Sequence, residues 1–147
     1  MANVTFSGGK KLQEVFKKAG KGGIDHVDVG FFSSARYPNG IPVAAVAAWN
    51  EFGTKKIEER PFFRIANAEN ELNLIRIITT QVDPLTMVIT KRIGGLLGVS
   101  QQGAVQKSMV DLREPENAES TIARKKGKTN PLIDTGRMNR SVTYKVT

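Results

Sequence analysis

The sequence predicts an α+β domain in which a small antiparallel or mixed sheet packs against one long helix and several shorter helices. Residues 26–32 and 141–146 alternate apolar and polar side chains, as half-buried strands do. Between them lie apolar stretches at helical spacing, the longest over residues 61–81. The 147 residues include no Cys, so we expect one hydrophobic core without disulfide bonds or thiolate metal sites.

The first half of the chain is predicted to form two strands, a turn and two helices. A short edge strand over residues 3–6 precedes an amphipathic helix over residues 10–19. After the strand that begins at His26, residues 37–40 have the composition of a turn. A proline then opens an almost wholly apolar helix over residues 43–52, which we expect to be buried on most sides and to end in a glycine with left-handed backbone.

The second half is predicted to be mainly helical. We expect the longest helix, over residues 61–81, to face the core with a stripe at intervals of three and four: Ile65, Ala68, Leu72, Ile75, Thr79 and Val82. Two further helices are expected over residues 85–97 and 101–112, separated by glycines that disfavour helix. Residues 113–130 are polar and predict a long, flexible, basic loop or arm before the C-terminal strand. Residues 1–147 form a single domain in this prediction.

The net charge of +8 lies near the two ends of the chain. Residues 10–21 contribute +4 and residues 120–147 contribute +6, so the remainder sums to −2. The candidate basic arm consists of Arg124, Lys125, Lys126 and Lys128. These cations are either a solvated surface or a contact with a polyanion, so a nucleic-acid-binding module stays open as an alternative function.

The motifs that suggest catalysis have simpler structural interpretations. His26 lies beside two aspartates, but a single imidazole favours a polar side chain on a strand over a metal site. Asp134, Thr135 and Gly136 form the tripeptide of aspartic proteases, yet too little chain follows to build the flap and supporting strands of such an enzyme. We expect a structural turn there, with Asp134 as an acceptor or cap and Gly136 at positive φ. We therefore expect no enzyme, no metal and no cofactor.

A segment rich in arginine and phenylalanine, residues 60–64, is the best candidate for an interface. Two adjacent phenylalanines are not expected to face one core, so one should pack inward and the other should reach a different surface. The alternative is that both are buried within the monomer. Arginine and aromatic side chains are favoured at protein interfaces, and the candidate set is Trp49, Phe52, Arg60, Phe62, Phe63 and Arg64.

Six segments, in this order, resemble a family of tail components of tailed bacteriophages: residues 27–30 (VDVG), 47–54 (AAWNEFGT), 60–64 (RPFFR), 121–127 (TIARKKG), 131–138 (PLIDTGRM) and 141–144 (SVTY). The family includes neck and tail-completion proteins and is similar to the minor tail protein Z and virion-morphogenesis groups. One departure is Glu58, which stands where a proline two residues before Arg60 is expected.

The resemblance implies a structural virion protein at the head-tail junction, present in the host cytoplasm during assembly. It implies a homo-oligomeric ring, most often a hexamer, around the DNA channel. Partners would be other neck and tail proteins, such as head-closure, tail-terminator or tail-tube proteins. The basic arm would contact one of these neighbours or genomic DNA, and no membrane contact is expected.

Overall fold

The computed structural model describes residues 23–32, 34–126 and 128–147. The elements, in chain order, are strand β1 (Val27–Gly30), helices α1 (Val43–Phe52), α2 (Phe62–Gln81), α3 (Lys91–Asp111), α4 (Glu119–Arg124) and α5 (Arg137–Arg140), and strand β2 (Thr143–Val146). The predicted α+β class is confirmed. The strand expected over residues 3–6 and the helix expected over residues 10–19 lie outside the described residues.

The two strands pair antiparallel and pack on α3. Val27 lies opposite Val146, and Gly30 lies opposite Thr143. Helices α2 and α3 lie side by side and antiparallel. Near the end of α2, Oε1 of Gln81 accepts a hydrogen bond from Arg92 near the start of α3. The domain is therefore a pair of long helices with a two-stranded sheet against one of them.

Helix α3 is continuous over 21 residues, whereas the sequence predicted two helices interrupted by glycines. Two of the glycines are contact points for the sheet: a Cβ at Gly94 would lie 2.9 Å from Cγ1 of Val146, and one at Gly98 would overlap the ring of Tyr144. Because the sheet approaches the helix backbone there, packing compensates the low helix propensity of glycine. The expected first helix starts only at Lys91, after the N-cap residue Thr90, whose hydroxyl accepts the Ile93 N–H.

Helix α2 has the predicted bounds, but the face that it turns to the core is not the one expected. Of the stripe predicted to face the core, Leu72 is 80% exposed and Ile75 is 48% exposed. The buried residues of α2 are Phe62, Ala66 and Asn70. A polar side chain can be buried there because Asn70 Nδ2 donates to Oε1 of Gln101 on α3, at 2.9 Å.

Helix α1 also has its predicted bounds, from the residue after Pro42 to the residue before Gly53, which has φ of +70°. Its burial is less complete than predicted: Val43, Ala47 and Glu51 are buried and four other residues are part-buried, whereas Ala48, Trp49 and Phe52 are exposed. The predicted turn is confirmed, with the Gly40 N–H donating to the carbonyl of Tyr37 at 2.9 Å. The largest fully buried side chains are Phe62, Met109, Val43, Val105 and Val142.

Substitution of Gly98 by Ala tests the contact between α3 and the sheet. The added methyl would lie 2.5 Å from Cγ of Tyr144, so we expect a loss of about 1–3 kcal/mol in the free energy of unfolding. Gly95→Ala is the matched control, because its Cβ meets nothing within 4 Å and helix propensity alone predicts a gain of up to about 1 kcal/mol. Urea unfolding followed by circular dichroism measures both, and equal effects would contradict this packing.

Candidate functional site

The buried carboxylate of Glu51 joins the end of α1 to the start of α2. Its side chain is 7% exposed. Oε2 accepts the backbone N–H of Phe63 at 2.8 Å, and Oε1 accepts the backbone N–H of Arg64 at 3.2 Å. A negative charge at a helix N-terminus satisfies free N–H groups and interacts favourably with the helix dipole. One residue of α1 therefore fixes where α2 begins.

Arg64 completes this junction on its outer side. Its Nε donates to Oε1 of Glu51 at 3.0 Å, and its Nη2 donates to the Glu51 carbonyl and to Oε1 of Glu59, each at 2.7 Å. Hydrogen bonds to Glu51 and Glu59 raise the pKa of Arg64 above its ordinary value. The guanidinium carbon lies 5.7 Å from the centre of the Phe52 ring, which is cation–π geometry.

Arg60 is an internal tether, although the sequence placed it among the interface candidates. Arg60 is 5% exposed. Its Nε donates to the carbonyl of Pro115 and its Nη2 to the carbonyl of Glu116, each at 2.9 Å. Its backbone N–H donates to the carbonyl of Asn50 at 2.6 Å. Burial lowers the pKa of Arg60. This arginine holds the segment after α3 against the end of α1.

Phe62 and Phe63 pack in one aromatic cluster, whereas we expected one of them to reach a different surface. Phe62 is 1% exposed and Phe63 is half-buried. Their ring centres are 5.9 Å apart, and Phe31 meets both edge-on at 6.4 and 6.5 Å. Phe31, just after β1, provides the contact that lets adjacent aromatic residues pack together.

Three of the six interface candidates reach the surface: Trp49, Phe52 and Arg64, which we call the aromatic face. Trp49 is 43% exposed and Phe52 is 70% exposed. They lie three residues apart on α1, so they project from the same side of the helix. The ion pairs of Arg64 with Glu51 and Glu59 hold its guanidinium beside Phe52.

Lys125 departs from the expected basic arm because it is buried. Its Nζ donates to the carbonyls of Asn130, Pro131 and Ile133, at 3.0, 3.2 and 3.3 Å. Burial lowers the pKa of Lys125. Lys125 thus ties the end of α4 to residues 130–133, and Arg60 ties residues 115–116 to the segment between α1 and α2. Three candidates stay exposed, namely Arg124, Lys126 and Lys128.

The segment Asp134, Thr135 and Gly136 is a turn that leads into α5. Gly136 has φ of +75°, as predicted. Gly136 is the N-cap residue of α5, which has no side-chain cap, whereas the sequence suggested Asp134 as an acceptor or cap. Oγ1 of Thr135 accepts the Arg137 N–H at 3.3 Å. The Asp134 carbonyl instead accepts from Nζ of Lys128 at 2.9 Å.

His26 lies on the solvent side of the sheet and pairs with Asp28, with 3.3 Å between Nε2 and Oδ2. Within residues 23–32, 34–126 and 128–147, no group of three or more His, Cys, Asp or Glu side chains is placed to hold a metal ion. In the same ranges, no helix is both long and apolar enough to cross a membrane.

Comparison with family models, with curated proteins and with solved structures finds no match for this chain.

The burial of Glu51 and the exposure of the apolar stripe of α2 were not predicted from the sequence. Glu51 is the sole charge within the apolar stretch that forms α1, and a lone carboxylate in such a stretch is a signal for a buried cap or ion pair. The exposed stripe of α2 follows an exact three-four spacing, which is found both in core-facing helices and in helices that pack against a separate helix.

Glu51→Gln tests the junction. Loss of the charge leaves the Phe63 and Arg64 N–H groups with a weaker acceptor, so we expect a loss of about 1.5–3 kcal/mol in unfolding free energy. Glu59→Gln is the control, because Glu59 is 51% exposed and an exposed ion pair contributes less than about 1 kcal/mol. Denaturant unfolding measures the loss in unfolding free energy for each variant. Similar losses for Glu51→Gln and Glu59→Gln would count against a structural role for Glu51.

Lys125→Met tests the second tether. Methionine keeps the volume but leaves three carbonyls without their donor, so we expect a loss of about 1–3 kcal/mol at pH 7. Burial lowers the pKa of Lys125 in the folded chain. At a pH between this lowered pKa and the higher pKa of Lys125 in the unfolded chain, the unfolded chain binds more protons than the folded chain does. In that window the contribution of Lys125 to wild-type stability rises with pH.

The difference between wild type and Lys125→Met should therefore widen as the pH rises toward the ordinary pKa of a lysine side chain. Lys126→Met, at an exposed neighbour, provides the control. A difference that stays constant as the pH rises would contradict the buried position of the Lys125 ammonium.

Proposed function

We propose that this chain is a structural subunit of a tailed-bacteriophage virion, a head-tail connector of the neck or tail-completion type that joins tail to head. The observation that supports it best is the aromatic face. The segments with the strongest resemblance to the phage family, residues 47–54 and 60–64, build the junction that holds this face in place. Exposed aromatic and arginine side chains on a rigid support are typical of interface hot spots.

The design of the junction also suits assembly. Glu51 joins α1 to α2, and Arg60 joins the segment between these helices to residues 115–116, in each case through bonds between a side chain and backbone groups. A surface that is held in one geometry loses little entropy when it binds. In this proposal, the aromatic face contacts a neighbouring copy or another neck or tail protein. The exposed cations Arg124, Lys126 and Lys128 face acidic neighbours or DNA.

A phage that carries a stop codon in the gene for this chain tests the proposal. We expect separate heads and tails in electron micrographs, and joined infectious particles after the purified chain is added to the extract. A Trp49→Ala, Phe52→Ala double variant should restore at least tenfold fewer particles, since loss of two hot-spot side chains removes several kcal/mol of binding. Leu85→Ala is the control, because Leu85 is 77% exposed and follows the opposite end of α2.

Infectious particles that form without the chain would refute the proposal. Full activity of the Trp49→Ala, Phe52→Ala variant would show that the aromatic face takes no part in joining heads to tails. Steep loss of duplex binding with rising salt, together with normal joining in the absence of the chain, would favour the nucleic-acid-binding alternative.

A further inference from the structure

A cleft of about 760 Å³ lies between α1, α4 and the turn that leads into α5. The two charged residues buried in its wall, Arg60 and Lys125, are both cations, 5% and 8% exposed, and we call it the cationic cleft. A volume of this order is typical of ligand-binding clefts. The cationic cleft therefore has the size and the buried charge of a binding site.

Both buried cations of the cleft are bonded to backbone carbonyls. Arg60 donates to the carbonyls of residues 115 and 116, and Lys125 donates to those of residues 130, 131 and 133. Among the residues that the structure describes, no carboxylate oxygen lies within 4.0 Å of the charged nitrogens of either side chain. Because carbonyl dipoles satisfy the N–H groups but supply no net negative charge, the cleft keeps a positive potential.

Exposed charges add to this potential at the rim of the cleft. The charged residues that line it are the cations Lys56, Arg60, Arg124, Lys125 and Arg137 and the carboxylates Glu58, Glu116 and Asp134. All three carboxylates are exposed, so water and salt screen them more than they screen the buried cations. Burial is the main cause that lowers the pKa of Lys125, and three neighbouring cations lower it further against one carboxylate that raises it.

The uncharged lining of the cleft suits a peptide. Asn39, Asn50 and Asn117 present carboxamides, which can bond to the N–H and C=O groups of a peptide backbone. Ile57 and Leu132 provide apolar surface in the same cleft. A free phosphate would use the cations and leave the carboxamides and the apolar surface without a partner, whereas an acidic peptide uses all three kinds of group.

We propose that the cationic cleft binds an acidic peptide segment of a partner protein, with a carboxylate of the segment between Lys56 and Arg124. Apolar side chains of the segment lie against Ile57 and Leu132. The two buried cations attract the carboxylate through their charge, and the two exposed cations contact it. This inference does not rest on the proposed virion role, because it concerns only the cleft and the peptide that fits it.

Fluorescence anisotropy with the full chain tests the cleft, with a fluorescein-labelled peptide of alternating glutamate and leucine as the probe. We expect a Kd of about 100 μM or tighter, and binding about tenfold weaker for the matching peptide of glutamine and leucine. A Lys56→Gln, Arg124→Gln variant should also bind the glutamate peptide about tenfold more weakly, since each lost ion pair weakens binding by a few-fold. The matched control is Lys55→Gln, Lys126→Gln, because these neighbours are exposed and lie outside the lining of the cleft. It loses the same charge and should bind as wild type does.

Four results would overturn the inference. The wild-type chain does not bind the glutamate peptide at concentrations up to about 1 mM. The two double variants weaken binding equally, which would show attraction to the net charge of the chain and not to the cleft. Inorganic phosphate displaces the peptide at an equal concentration, which would show a site for a small anion. Duplex DNA binds with the same dependence on Lys56 and Arg124, which would show a nucleic-acid surface.

These outcomes are separate from the test of the virion role. A failure of peptide binding leaves the head-tail role standing, whereas infectious particles that form without the chain overturn that role and leave the cleft as a peptide site.

Discussion

The arrangement of the described domain depends on one buried carboxylate, that of Glu51 between α1 and α2. A buried charge is tolerated only when hydrogen bonds and opposite charge replace its hydration. Glu51 meets this condition in one geometry, with the first N–H groups of α2 on one side and the Arg64 guanidinium on the other. The direction in which α2 leaves α1 is thereby specified, and Phe62 is directed into the core.

The inner side of α2 combines the apolar residues Phe62 and Ala66 with one polar residue, Asn70. Asn70 lies opposite Ser100 and Gln101, and its amide donates to both at 3.1 and 2.9 Å. A satisfied polar network in an interface between helices favours one register over others. The contact with α3 therefore fixes which residues of α2 face outward, and the exposed Leu72 and Ile75 are among them.

Sequence reasoning succeeded where local chemistry determines structure. Pro42 and Gly53 set the limits of α1 through their backbone preferences, and alternation located both strands. It failed where a choice depends on distant residues. Periodicity shows that α2 has an apolar face but not whether that face meets the core, and glycine propensity carries no information on the sheet that packs against Gly94 and Gly98. The burial of Lys125 depends on three carbonyls that only the folded chain assembles.

The junction positions the aromatic face through α2. The N-terminus of α2 is fixed by Glu51, and its flank is fixed against α3 by Asn70. Arg64, in the first turn of α2, is therefore held beside the Phe52 ring at the end of α1, with its guanidinium carbon 5.7 Å from the ring centre. A surface that is held in one geometry loses little entropy when it binds. The buried polar groups of the junction thus stabilise the monomer and, in the proposed virion role, keep the aromatic face in one geometry.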